Sequence, residues 1–436
     1  MSTPNQPGPL SRRTFLGLLG SAGVLAACGD DGGAADTEFE VWVLQQESQN
    51  IVQRGALDRF NGGSSVKAKL VANPNDGYRD KLHVAIGTAQ APDVFFNWGG
   101  GSIRTYARQG LLEDLTPHLD GDPAFKNAFL PSVLDAGRID GKFYGVPLRG
   151  MQPIILYFHR KVFADLNLQP PKTWQEMLAA IDRLKAAGIT PIALAGAVSW
   201  TELMWLEYLT DRIGGAQVFE AIASGKKGAW GHQAVRQSVD TIRALVDRGA
   251  FGTNYSSVQY AAGGASTLFA QGKAGMHLMG SWEFTNQQKD EPAFAKDSLG
   301  FVDFPVFDGG QGHPKAIVGN PTNYFSVTKR SGAKDAALKF LKQEMASEAY
   351  VTDWLKAGDV PAVSNLDRAI PAAASNKEFA TLVYTMVKDA PSFQLSWDQA
   401  IERAQAQPML DALAKVFLGQ LDAKGFVDAN EAVAPR

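Results

Sequence analysis

An ordered alternation of strand-like and helix-like segments near the start of the chain constrains the fold more than any other feature. Phe39 to Leu44 is apolar on both alternating faces except for Glu40, the pattern of a strand covered by helices on both sides. The spacing predicts a helix from about Ile51 to Phe60, a second strand at Val66 to Ala72 and a helix over Asp76 to Thr88. A third strand, Asp93 to Trp98, runs into Gly99, Gly100 and Gly101. Strand, helix, strand, helix, strand in that order implies a parallel sheet with right-handed crossovers, and in such sheets ligands bind outside the carboxyl ends of the strands. That rule directs attention to Gln45, Gln46 and Glu47 after the first strand, and to Asn97, Trp98 and Gly99 at the end of the third.

A second region repeats the logic. Ile154 to His159 reads as a strand, and Thr173-Trp174-Gln175-Glu176 is a capping box, in which hydroxyl and carboxylate satisfy the free amides of a helix start. Met177, Leu178, Ile181 and Leu184 follow at helical spacing, Gly188 stops the helix, and Thr190 to Leu194 makes the next strand. Ser199-Trp200-Thr201-Glu202 reads as another capping box, opening a helix to about Arg212. Further strands are expected at Ala274 to Leu278, Leu299 to Phe304 and Tyr324 to Thr328, with mostly helix from Ala333 onward. With 436 residues the chain has the length of two or three domains. At 45% hydrophobic and 20% charged residues, collagen-like, coiled-coil and multi-span membrane classes fall away. A net charge of -3 offers no electrostatic footprint for nucleic acid.

The single cysteine, Cys28, excludes an internal disulfide and any cysteine-based zinc site. It closes an N-terminal address. Ser11-Arg12-Arg13-Thr14-Phe15-Leu16 is a twin-arginine pattern, with Gly17 where lysine is usual, and Phe15 to Ala27 carries no charge. Thirteen residues fall short of the roughly 20 that a spanning helix needs, so the run reads as the apolar part of a signal peptide, residues 1–27. Leu25-Ala26-Ala27-Cys28 resembles a bacterial lipobox, in which the cysteine receives a diacylglyceryl group and becomes the first mature residue. Two acyl chains suffice for durable anchoring. The plainer reading is a small free cysteine behind a cleaved signal. The mature chain would carry 40 basic and 45 acidic groups, a net of -5, on a flexible tether over residues 28–37. The location expected is the extracytoplasmic face of the cell membrane.

No catalytic or cofactor motif competes with this reading. Gly99-Gly100-Gly101-Ser102-Ile103-Arg104 fails G-x-G-x-x-G at its last position, and neither a phosphate-binding loop nor a G-x-S-x-G elbow occurs. His83, His118, His159, His232, His277 and His313 lack metal-ligand spacing, so no metal and no cofactor are expected.

Five segments in collinear order carry a resemblance. Pro92 to Gly101 (PDVFFNWGGG), Gly110 to Pro117 (GLLEDLTP), Gly141 to Leu148 (GKFYGVPL), Pro170 to Leu178 (PPKTWQEML) and Phe269 to Glu283 (FAQGKAGMHLMGSWE) resemble family 1 extracellular solute-binding proteins, the carbohydrate receptors of bacterial ABC importers. The similarity covers nearly all of Glu38 to Ala423. It implies an α/β, two-lobed periplasmic-binding-protein fold of type II-like form, with the ligand in a cleft between lobes joined by crossing hinge segments. By that resemblance lobe 1 is 37–147 plus 307–355 and lobe 2 is 148–306 plus 356–436. The crossings would fall near Gly145-Val146-Pro147, Phe304-Pro305 and Gly358 to Pro361, where glycine or proline ends an element. It also implies a monomer that captures a mono- or oligosaccharide and delivers it to ABC permease subunits, with transport energy supplied by a partner ATPase.

A sugar offers flat C–H faces and a rim of hydroxyls that donate and accept, so its site needs aromatic plates and polar side chains but no nucleophile. Trp98 ends a strand before three glycines, which let backbone approach a ligand, and Trp282 sits beside Glu283 just past another strand. Both are candidate plates, as are Trp200 and Trp397, the latter beside Asp398; packing is the alternative for each. Trp42, Trp174, Trp205, Trp230 and Trp354 read as core. The polar candidates are Gln46, Glu47, Asn97, Glu283, Asp398, Asn320 and Asn323, the last two flanking Pro321-Thr322 in a loop before a strand. Their alternative role is turn chemistry, since such residues after strands commonly satisfy loop backbone. Arg149, just past the first crossing, would hydrogen-bond sugar hydroxyls or pair with a hinge carboxylate; Tyr157 and Tyr260 are weaker candidates. The rival from another class is an exported glycoside hydrolase, whose two carboxylates follow no sequence spacing.

Overall fold

The structure is a computed structural model and describes residues 37–434 apart from Asp76, Ala261 and Ala262, so the signal segment, Cys28 and most of the tether lie outside the described residues. In chain order its strands begin with β1 (Glu38–Leu44), β2 (Lys67–Asn73), β3 (Val94–Asn97), β4 (Arg138–Ile139), β5 (Lys142–Phe143), β6 (Val146–Pro147) and β7 (Gln152–His159). They continue with β8 (Thr190–Ala193), β9 (Ala274–Gly280), β10 (Leu299–Val302), β11 (Ile317–Asn320), β12 (Tyr324–Val327) and β13 (Phe393–Leu395).

Two large sheets divide the described chain, each at the centre of one α/β lobe. The first has the order β2-β1-β3-β12-β6. Strands β1 and β2 run parallel in register from Glu38 opposite Lys67 to Leu44 opposite Asn73, because α1 (Glu47–Gly62) carries the chain back between them. Strand β3 joins β1 in parallel after α2 (Tyr78–Ala85), and α3 (Gly101–Arg108) leaves it. The alternation in the sequence therefore builds the parallel core it predicts, to which β12 adds antiparallel to β3, with Tyr324 opposite Asn97. Phe39, Phe60 and Phe340 meet edge-on or tilted beneath this sheet, with centroids 5.6–6.2 Å apart.

The second sheet departs from the expected repeat. Its order is β13-β11-β7-β9-β8 with β10 also paired to β7, and β7 runs antiparallel to β9, β10 and β11. Only β8–β9 and β11–β13 are parallel. The reason is connectivity: β7 enters directly from the first sheet, and its partners arrive from far along the chain, so no helical crossover fixes their direction.

Strand pairing also corrects the expected lobe boundaries. Strand β11, which escaped notice in the sequence, bonds to both β7 and β13, so residues 307–320 belong with the second sheet and not the first. The chain returns at 321–323, rather than at Phe304-Pro305. Strand β6 keeps Val146 and Pro147 in the first sheet through β12, which places the outgoing passage at 148–151. The third passage runs through 358–361, with Gly358 at φ 91°.

Of the two capping boxes, Thr173 forms one: its hydroxyl accepts from Glu176 N at 3.2 Å, and the Glu176 carboxylate accepts from Thr173 N at 3.3 Å. The other does not form. The helix Ser199–Gly214 begins at Ser199 itself with Val198 before it, and Glu202 is buried with Oε2 unpartnered. Trp42, Trp174, Trp205, Trp230 and Trp354 all lie in the core, none more than 7% exposed. Among the described residues no helix is long and apolar enough to cross a membrane.

Candidate functional site

Each lobe presents half-exposed aromatic rings at the end of a strand. In the first, Trp98 follows β3, and Phe96 and Tyr78 pack against its indole edge-on at 4.9 and 5.9 Å. The Arg79 guanidinium lies 4.6 Å from the centre of the Trp98 ring. In the second, Trp282 follows β9. A β-carbon on Gly280 would fall 2.0 Å from the Trp282 ring, so glycine there lets the indole fold back across the strand end. Trp200, in the first turn of Ser199–Gly214, lies 6.2 Å from Trp282, and Tyr260 meets Trp200 edge-on at 5.2 Å. The structure thus brings together Trp200, Trp282 and the weakly favoured Tyr260.

Glu283 is the foundation of this cluster rather than part of its surface. It is fully buried, and its carboxylate accepts from Tyr260 Oη at 2.8 Å, Ser266 Oγ at 3.0 Å and Gln287 Nε2 at 2.7 Å. Its carboxylate is turned inward, and one of its three bonds holds the Tyr260 ring in place. Burial and the neighbouring Glu283 push the Tyr260 hydroxyl well above its ordinary range, so it stays a neutral donor.

Several expected contacts are redirected inward. Trp397 is fully buried, stacked on Phe219 at 4.5 Å and bonded through Nε1 to Gln394, so packing is its role. Asn97 is 1% exposed; its amide donates to Ser326 Oγ at 2.9 Å and accepts from Gly99 N at 2.9 Å, which is the turn chemistry that was the alternative. Glu47 opens α1 on the surface and pairs with Arg54 at 2.6 Å. Tyr157 is core, with its hydroxyl donating to Gly280 O. Asn320 is the last residue of β11 rather than a loop residue, and its Oδ1 has no partner. The glycine run is redirected too. β-Carbons on Gly100 and Gly101 would collide with Leu395, Gln399 and Ile401, so the close backbone approach serves another chain segment.

Arg149 makes the second of its two expected contacts. Its guanidinium is almost wholly buried where the chain passes between lobes, and Nε and Nη2 donate to Asp359 Oδ2 at 3.0 and 2.7 Å. Nη1 donates to Gln49 at 2.8 Å and Gln46 at 3.2 Å. Gln152, with its amide turned to satisfy both neighbours, donates to Asn323 and accepts from Arg149, each at 3.2 Å. Thr322 Oγ1 donates to Arg149 O at 2.8 Å, Leu148 N to Asn323 O at 2.9 Å and Met151 N to Val360 O at 2.8 Å. All three passages are therefore stitched around one arginine. A β-carbon on Gly150 would lie 2.1 Å from Asp359, so only glycine admits that carboxylate.

Sequence reasoning missed Arg79, Gln49 and Asp359. Asp359 had a signal, a carboxylate in the Gly358 to Pro361 crossing opposite an arginine in another. Arg79 had none, being one of several charged residues on a short helix. Asp398, 9% exposed, is reached from Arg79 at 3.5 Å. Two concavities among the described residues lie elsewhere, one in the second lobe between Tyr208, Arg212, Phe304 and Met386, one in the first between Leu115, Phe125 and Leu341. Neither is lined by Trp98, Trp200 or Trp282. Among the described residues no cluster of metal-ligating side chains occurs.

Comparison with known proteins identifies this architecture. Residues 45–352 match the family model for the bacterial extracellular solute-binding protein. The chain is 24% identical over 347 residues to the multiple sugar-binding protein of Streptococcus mutans serotype c, covering 77% of this chain and 79% of that one. It is 25% identical over 365 residues to the diacetylchitobiose binding protein DasA of Streptomyces coelicolor, covering 80% and 81%. A structure from a study of xylan utilisation by Caldanaerobius polysaccharolyticus superposes with a TM-score of 0.81 at 26% identity, over 91% of this chain and 99% of the other. A chitin oligosaccharide binding protein gives 0.81 at 22% identity over 92% and 98%, a likeness of fold. With most of its length matched by the family model and by two-lobed structures, the chain belongs to the bacterial extracellular solute-binding protein family.

Proposed function

We propose that this protein captures a short oligosaccharide between its two lobes and delivers it to an ABC permease, held at the extracytoplasmic face of the membrane by lipid on Cys28. The observation that carries the sugar reading is that each lobe leaves half-exposed indoles at a strand end, Trp98 on one and Trp282 beside Trp200 on the other. Flat apolar plates on opposing lobes suit the two faces of a pyranose, and stacking contributes about 0.5–1.5 kcal/mol per ring beyond burial. The names of the relatives support a carbohydrate, and the relatives are binding proteins rather than hydrolases.

Capture works by population shift: contacts completed only when the lobes approach stabilise the closed form, which the permease then reads. The protein acts as a monomer and supplies no chemistry. Thermal-shift screening of mono- to tetrasaccharides, followed by calorimetry, tests this. Trp98→Ala or Trp282→Ala is expected to weaken the best ligand severalfold to a hundredfold with the fold intact; unchanged affinity in both variants removes the site assignment. Appearance of new reducing ends during incubation would instead favour the hydrolase. Cys28→Ser is expected to release the protein from membranes while leaving binding unchanged.

A further inference from the structure

Away from the three passages and the 362–375 stretch that follows the last of them, side chains gathered on one short segment of the second lobe, Leu395 to Arg403, also touch the first lobe. Arg79 of α2 donates to Gln399 and lies 3.5 Å from Asp398 Oδ2. Arg403 pairs with Asp80 at 2.5 Å, and Glu402 accepts from Thr105 at 3.2 Å and lies 3.7 Å from Arg104. Between these polar contacts the two backbones themselves meet. A β-carbon on Gly101 would lie 2.4 Å from Ile401 O, and its three nearest neighbours would all be atoms of the second lobe. The same Arg79 covers the Trp98 indole. One side chain therefore touches the plate of the first lobe and two acceptors of the second.

We propose that Arg79 is a positioning residue of the cleft: it holds Trp98 by stacking and, by bonding to Gln399 and Asp398 when the lobes shut, couples that plate to closure. A guanidinium suits both tasks, because its flat face stacks on an aromatic ring while its edge donates in a fixed fork. A contact made in the shut form raises the population competent to hold ligand, and apparent affinity follows that fraction without any ligand contact. The closure part stands by itself; the effect on affinity rests on the reading of Trp98 as a sugar plate.

The test reads closure directly. In a mature Cys28→Ser chain, the exposed partners Asp80 and Arg403 are replaced together (Asp80→Cys, Arg403→Cys), and the rate of cross-linking by a short bismaleimide reports how often the segment docks. Arg79→Met, which keeps the apolar cover on the indole, is expected to slow cross-linking at least threefold. Gly101→Ala, which intrudes only on the other lobe, is expected to slow it at least tenfold. Arg79→Lys should fall between Arg79→Met and the parent, a graded recovery that loss of packing would not produce. An unchanged rate in Arg79→Met, with far-ultraviolet dichroism confirming folded protein, overturns the proposal; Gly101→Ala checks that the cross-link reads approach of the lobes. Calorimetry with raffinose and diacetylchitobiose separates the two readings. Slowed cross-linking with no binding of either sugar to the parent keeps the latch and counts against the carbohydrate; bound sugar with unaltered affinity and unaltered cross-linking in the variants does the reverse.

Discussion

Arg149 and Asp359, at 3% and 2% side-chain exposure, form a buried ion pair whose charges are desolvated and satisfied only by each other and by neighbouring amides. Removing one partner strands the other. Arg149→Met is therefore expected to cost about 3–5 kcal/mol in chemical denaturation, and Asp359→Leu added to it should recover most of that loss. Asn97 behaves differently. Its amide is consumed within the first sheet, so Asn97→Ala should cost about 1–3 kcal/mol of stability while leaving ligand affinity unchanged in the folded protein. Glu47 is a surface residue paired with another, and Glu47→Gln should move stability by less than about 0.5 kcal/mol. The three residues looked alike in the sequence, each a polar group beside a strand end. Which of them faces water, a sheet or a hinge depends on what the rest of the chain lays against it.

At the scale of elements, the short helix Trp397–Ala400 is held by a residue from Ser199–Gly214. Glu207 Oε1 accepts from Ser396 Oγ at 2.6 Å and from Trp397 N at 2.7 Å, and burial pushes its carboxyl up to about 8. Burial alone raises Glu202, in the same helix, to about 8 as well. Both are protonated in the folded protein at neutral pH, whereas in the unfolded chain they ionise near 4.5. Their contribution to stability is thus fully present below that value and declines as pH climbs toward about 8. The thermal midpoint should fall between about pH 5 and 8, and Glu202→Gln with Glu207→Gln should flatten that fall; an equal slope in the double variant would reject the assignment. The elements that the sequence announced were those with their own local grammar, such as the Thr173 capping box and the apolar run of β1. Strands β11 and β13, four and three residues long, carry too few positions for a period to show.

For the whole molecule, a ligand that closes two lobes should be visible without reference to any one contact. A saturating sugar identified by screening is expected to shrink the radius of gyration in small-angle scattering. At a hundred times its dissociation constant it should stabilise the folded state by about 2.7 kcal/mol. A bound sugar that left the scattering profile unchanged would mean that the lobes do not move. One buried guanidinium ties the three passages together, so the stiffness of the proposed hinge should respond to Arg149 more than to any glycine.

The order of strands and helices at the N-terminal end and the burial of Trp42, Trp174, Trp205, Trp230 and Trp354 followed from the sequence, because periodicity and the burial it implies are local properties. Trp397 shows the limit: a tryptophan beside an aspartate near a strand end is the same string whether the indole meets a ligand or stacks on Phe219. Which lobe owns residues 307–320, which carboxylate meets Arg149 and what the glycines after Trp98 admit were decided only by tertiary structure. Those are pairings between segments tens to hundreds of residues apart, and side-chain chemistry fixes that a partner is required without fixing where along the chain it lies.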